Sequence, residues 1–337
     1  MAYSPNTDNY TLGKGVVYFN RKNSSGVYLG ERDLGNAPAF TFNVDLEKLE
    51  HYSSRGGLRA KDKEIVSEIT PGVAFDLDEV TKENLALLTM AELNEVVQTS
   101  GSVSAEVVTA NLGMRATLSK REIANAWLLP YDGGSTIFAV GETVTGAGGA
   151  AGIVMAVTGD ATSGTLTIIK TNDTAFVDDE AITGSGSGSA DVNSTSGGSE
   201  STVPAVFVQD SIDTTTYVAG TDYEVSTVLK DNTVGRILIL SGGSISEGEE
   251  LHVTFGYAAT TYTEVRAFKE TQVEGFLRFV SDNPAGSQQE LKIWRASLTP
   301  SGDTAMIGED WSTLSFEGEI LKDETGHPDS PYFDIIM

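Results

Sequence analysis

Cysteine is absent from the 337 residues. That excludes a disulfide framework, a thiolate metal centre and a cysteine nucleophile, and fits a chain made in a reducing compartment. Basic side chains are scarce: 22 Lys and Arg stand against 48 Asp and Glu, a formal charge of −26. A surface that grips DNA neutralises phosphates with Lys and Arg, so tight nucleic-acid binding is not expected. No run of about 18 apolar residues occurs, so no membrane segment is expected. The opening stretch MAYSPNTDNYTLGKG lacks the charged start and apolar core of a signal peptide. Histidine occurs only at His51, His252 and His327, with no metal-ligand spacing between any two.

What is present is alternation. In PAFTFNVDL, Phe40, Phe42, Val44 and Leu46 fall on one face of a strand; in GVAFDLD, Val73, Phe75 and Leu77 do the same. GKGVVYF, GFLRFV, ELKIWRASL, TLSFEGEIL, VGRILIL and ELHVTFGY also read as strands. Residues 78 to 93, DEVTKENLALLTMAEL, break the pattern. Asp78 or Thr81 can cap a helix there, with Leu85, Leu88 and Leu93 at helical spacing.

The middle of the chain changes character. Residues 131 to 200 hold 14 of the 36 glycines and one basic residue, Lys170. They end in GSGSGSADVNSTSGGSE, which reads as a flexible linker or long surface loop. Within them FAVGETVTG (138 to 146) repeats as FVDDEAITG (176 to 184) at an offset of 38, the mark of a small β module with two related halves. Residues 214 to 258 read as strand, turn, strand, turn, strand, with residues 116 to 132 as the partner in one sandwich. Residues 133 to 200 are then a nested insertion at a loop tip.

No stretch carries chemistry. GAGGAAG (146 to 152) contains a dinucleotide-like glycine spacing, but a strand pattern follows it where a helix must open, so it reads as a β-turn. Asp178, Asp179 and Glu180 lack the alternating acids of a calcium loop. His327 has Asp329 and Ser330 beside it, but catalytic triads are defined by geometry, not adjacency. A glycan hydrolase would need two carboxylates across a cleft, and no cleft-forming motif accompanies the many acids. No catalytic residue, metal or cofactor is expected.

The remaining feature is HYSSRGGLRAKDKEI, residues 51 to 65, with Arg55, Arg59, Lys61 and Lys63 in nine positions. Acids flank it at Asp45, Glu47, Glu50, Asp62 and Glu64. This mixed charge between two strands reads as a long loop, residues 47 to 64, that reaches a surface of mixed or acidic charge, and in a chain of −26 the nearest acidic surface is another copy. The inter-subunit residues expected are Glu47, Glu50, His51, Tyr52, Arg55, Arg59, Lys61, Asp62 and Lys63.

GKGVVYFNR, LGNAPAFTFNVDLEKLEHYSSRGGLRAKDKEI and GVAFDLDEVTKENLALL resemble the first half of tail tube proteins of long-tailed bacteriophages. GFLRFVSDNPAGSQQELKIWRASLTPSGDTAMIGEDWSTLSFEGEILKD resembles their C-terminal half. VGETVTGAGGAAGIV and GTDYEVSTVLKDNTVGRILIL are similar to small β modules and immunoglobulin-like segments of phage structural proteins. The resemblance implies a mainly β fold, a β-sandwich or split barrel with one flanking α-helix plus inserted small β domains. It implies a core domain from 1–114 and 263–337, an immunoglobulin-like domain from 115–132 and 201–262, and the glycine-rich insertion 133–200. It also implies hexameric rings stacked as a tube, with an acidic conduit through which double-stranded DNA passes without tight binding. The implied partners are further copies and tape measure, tail terminator and tail-tip proteins. The implied location is the virion, after synthesis in the bacterial host cytoplasm. A decoration or host-surface, glycan-binding virion protein is the alternative.

Overall fold

The computed structural model describes residues 9–23, 25–57, 59–225 and 235–337. Along the chain run β1 (Gly15–Arg21), β2 (Arg32–Asp33), β3 (Ala39–Ser53), β4 (Ala60–Leu77) and the helix α1 (Lys82–Leu88). Next come β5 (Glu92–Gln98), β6 (Gly101–Thr109), β7 (Arg115–Thr117), β8 (Asn125–Thr136), β9 (Thr143–Gly146), β10 (Ala151–Gly159) and β11 (Gly164–Lys170). They are followed by β12 (Ala181–Gly184), β13 (Ser189–Val192), β14 (Ser199–Pro204), β15 (Val206–Asp210), β16 (Tyr223–Val225) and β17 (Arg236–Ile239). The last strands are β18 (Glu250–Tyr257), β19 (Thr260–Arg266), β20 (Val273–Ser281), β21 (Glu290–Pro300), β22 (Leu314–Ile320) and β23 (Phe333–Ile336). The fold is mainly β with one helix among the described residues, as the alternation implies. Packing divides it into a first unit, Met1–Glu95 with Thr263–Met337, and a second, Val96–Tyr262.

The first unit is built on an antiparallel sheet in the order β2-β1-β20-β21-β22-β4-β3, with β23 added to β21. Its inward residues form one core: Val17, Phe19, Leu77, Leu277 and Ile293 around Phe75, which stacks on Phe316 at 5.0 Å. Leu87 buries against this core and Leu85 and Leu88 pack beside it. Thr81 caps the helix, its hydroxyl accepting from the Asn84 amide at 3.1 Å. The helix is shorter than its sequence pattern: Thr89 ends it, Met90 adopts φ 46°, and Leu93 lies in β5. Helical spacing alone did not register that left-handed residue.

In the second unit two three-stranded sheets, β15-β18-β6 and β16-β17-β7, share one core that includes Val208, Tyr217, Ile237, Leu251, Val253 and Phe255. The structure departs from the expected partition in two places. Residues 101–109, expected in the tube-like core domain, form β6, which pairs with β18. Residues 115–117 do pair with β17, but 125–136 form β8, which belongs to a barrel. Of the 214–258 stretch, 226–234 lie outside the described residues.

The barrel runs β11-β10-β9-β12-β13-β8 and closes by pairing β11 with β8. Closure leaves no free edge among those six strands. The stretch 184–200 is therefore not a linker. It supplies β13, which sends Ala190 and Val192 into the barrel core. Composition concealed this because the strand is short and its inward residues are small.

The 38-residue repeat is reproduced contact by contact. The amides of Ala139 and Val177 donate to Glu142 and Glu180, each at 2.8 Å. The other oxygen of each carboxylate reaches the opposite half: Gly186 donates to Glu142 and Gly148 to Glu180, each at 2.5 Å. Phe138 and Phe176, Val144 and Ile182, and Val154 and Val192 fill the same core as equivalent pairs. Glycine is needed at Gly146 and Gly184, where a Cβ would stand 2.4 Å from Glu180 Oε1 and 2.1 Å from Glu142 Oε1.

Burial of Glu142 pushes its pKa up, but amide donors from Ala139, Gly186, Gly188 and Ser187 outweigh it and hold the carboxyl below its ordinary value. A depressed carboxyl stabilises the fold above its unfolded pKa, and that contribution disappears as pH falls through the folded value. Glu142→Gln, which has one acceptor oxygen, is expected to destabilise the barrel by about 1–3 kcal/mol at pH 7. The variant should also lose part of the wild-type decline in melting temperature on acidification. Equal melting temperatures at pH 7 would refute the cross-brace.

Candidate assembly surface

β3 and β4 pair from Ala39↔Asp76 to Ser53↔Ala60, so most of the stretch 47–64 is not a loop but the outer half of a long hairpin, whose strands end at Ser53 and resume at Ala60. Its charged residues hid the strand pattern, because alternation is legible only where one face is apolar. Near its base, β4 alternates buried and half-buried residues from Pro71 to Leu77; outward of that it is exposed on both faces. β3 is also the outermost strand of its sheet.

Directly opposed residues of an antiparallel pair share a face. Phe40 and Phe75 lie on the core face, and the same face continues outward through Phe42↔Val73, Val44↔Pro71 and Leu46↔Ile69. It leaves the core on the way: Phe42, Val44, Leu46 and Ile69 are each 45–47 % exposed. Leu49, three residues beyond Leu46, turns to the other face with Ile65 opposite it. The sequence signal for these apolar residues was the alternation itself, which places them on one face of a strand.

Beyond Leu46 the same face becomes a charge ladder. Lys48 meets Glu64 at 2.6 Å, Lys61 meets Glu50 at 2.7 Å and also contacts Glu64, and the Tyr52 hydroxyl donates to Glu50 at 2.6 Å. Lys48 and Lys61 hold the Glu64 carboxyl down to about 2. Lys61 and Tyr52 lower Glu50, and Glu50 and Glu64 in turn raise Lys61. These groups are solvent-exposed, so the ladder adds little to stability.

Of the nine expected residues, Glu50, Tyr52 and Lys61 lie in the ladder. His51 Nδ1 sits 2.5 Å from Asp62, and Glu47 is opposite Glu68. Arg59 stacks over the Tyr52 ring at 5.1 Å. Among the described residues Arg55, Arg59 and Lys63 make no ion pair. Lys48 and Glu64 belong to the arrangement and were not among the nine.

Elsewhere, chemistry stays unassembled. His252 pairs with Asp213 at 2.7 Å. His327 pairs with Asp323 at 2.9 Å and stacks on Trp294, so its carboxylate is not the adjacent Asp329. Among the described residues no three His, Asp or Glu side chains converge as metal ligands.

No curated protein matches the chain. A family described as "Protein of unknown function UCP028589" matches residues 10–168 and 194–336, which is most of both units. The chain therefore belongs to the family of proteins of unknown function UCP028589.

Proposed function

We propose that this protein is a structural subunit that assembles with further copies of itself into rings and a tube, in the manner of a phage tail tube. The observation that carries the reading is the hairpin. An edge strand whose face from Phe42 to Leu46 is apolar, half-exposed and continuous with the core is an aggregation hazard in a monomer unless another chain covers it. Rings of six and stacking along an axis are what the tail-tube resemblance implies. The charge of −26 supports the same reading, since an acidic wall repels phosphates and does not retain passing DNA by counterion release.

The test is negative-stain microscopy and sedimentation velocity of the purified protein. Hollow tubes with a regular ring repeat are expected, and a species that stays monomeric at high concentration would rule the proposal out. A filter assay with duplex DNA is expected to find no salt-sensitive, tight complex; finding one would contradict the conduit role.

A further inference from the structure

We infer that the hairpin tip of one copy docks head to tail on the loop at residues 301–313 of the next. This rests on the self-assembly proposed above and names the surface that receives the hairpin. The loop, between β21 and β22, holds Met306, Ile307 and Trp311 at 81, 97 and 92 % exposure. Its acids, Asp303, Glu309 and Asp310, make no ion pair among the described residues. The tip offers the complement, Arg55, Arg59 and Lys63, equally without ion pairs among the described residues, beside the Tyr52 ring. An apolar centre ringed by charges that match a second surface has the composition of a specific interface.

Placement within the sheet prevents one chain from satisfying itself. β22 meets β4 at Leu314↔Leu77, and Ser301 bonds to Ser315, so the loop opens at the Leu77 end of β4. The tip lies at the Ala60 end of the same strand. At about 3.3 Å per residue the ends of β4 are on the order of 50 Å apart. A loop that must leave and return reaches roughly 20 Å with half its residues extended. Complementary surfaces at opposite ends of one body make a heterologous contact, which repeats from copy to copy along an axis.

Charge exchange tests the contact. Arg55→Glu with Arg59→Glu, and separately Asp303→Arg with Glu309→Arg and Asp310→Arg, should each raise the concentration needed for assembly at least tenfold. Combining the two sets should restore most of it. All these positions are exposed, and circular dichroism and melting of each variant establish that it is folded. Because the chain has no cysteine, Arg59→Cys with Trp311→Cys also places unique thiols on both surfaces. A short bismaleimide should then give a ladder of covalent multimers, whereas either single variant stops at dimers. Unimpaired assembly of both charge-reversed sets, or a double-cysteine chain that yields no ladder while wild type forms tubes, would overturn the contact. A wild type that never assembles would instead overturn the reading on which it rests.

Discussion

Replacing Leu46 and Ile69 together by glutamate is expected to abolish assembly while leaving the subunit folded. The two side chains oppose each other across the hairpin, and each is 46 % exposed in the single chain. Substitution at such positions costs a monomer little, within about 1 kcal/mol. In an assembly that covers this face the same carboxylates would be buried without partners, at several kcal/mol per ion, and the cost recurs in every copy. Sedimentation velocity should find a monomer with wild-type circular dichroism and melting, and microscopy should find no tubes. Tubes of normal length from this variant would show that the apolar ribbon is not what holds the copies together.

The second large effect concerns where the glycine-rich module ends. Removing 133–200, the boundaries drawn from composition, should leave the second unit insoluble. That cut keeps most of β8 but deletes the five other strands that close the barrel with it, so Leu129 and Tyr131, both buried, face water. Excising 125–204 instead should succeed, because Ala205 donates a backbone hydrogen bond to Ala124 at 2.8 Å and the cut ends already touch. Phe207, which packs with Ala205 against Ala126 and Ile169 of the barrel, would be uncovered, so Phe207→Thr belongs in the same variant. The shorter chain is expected to fold cooperatively and still assemble, whereas the 133–200 deletion should partition into the insoluble fraction. The reverse outcome would mean that the barrel is not a self-contained insertion.

Much of this architecture is legible in the residues. Alternation located the strands from Phe40 to Leu46, Val73 to Leu77 and Leu314 to Ile320, since a strand with one buried face writes its period into the sequence. The cap was narrowed to Asp78 or Thr81 for the same local reason, and the glycine turn at 146–149 and the 38-residue repeat were visible too. The helix end was not legible, nor was the split of β8 from the 115–117 strand. Both depend on which distant segment offers a partner.

The sequence by itself determined a β-rich chain of strong negative charge, the duplicated module, and the position of the charged stretch between two strands. Only the tertiary structure decided that Glu142 and Glu180 each bind the glycine loop of the opposite half, because hydrogen bonds across a closed barrel leave no mark but matching letters. It likewise decided that the alternation through Val44 and Leu46 runs past the edge of the core. Residues of identical type are buried or exposed according to what lies across from them, and Val44 and Leu46 are left 47 and 46 % exposed. The charged stretch is thus not a loop but the outer half of a paired hairpin, with a self-paired ladder along it and, among the described residues, no ion pair at Arg55, Arg59 or Lys63.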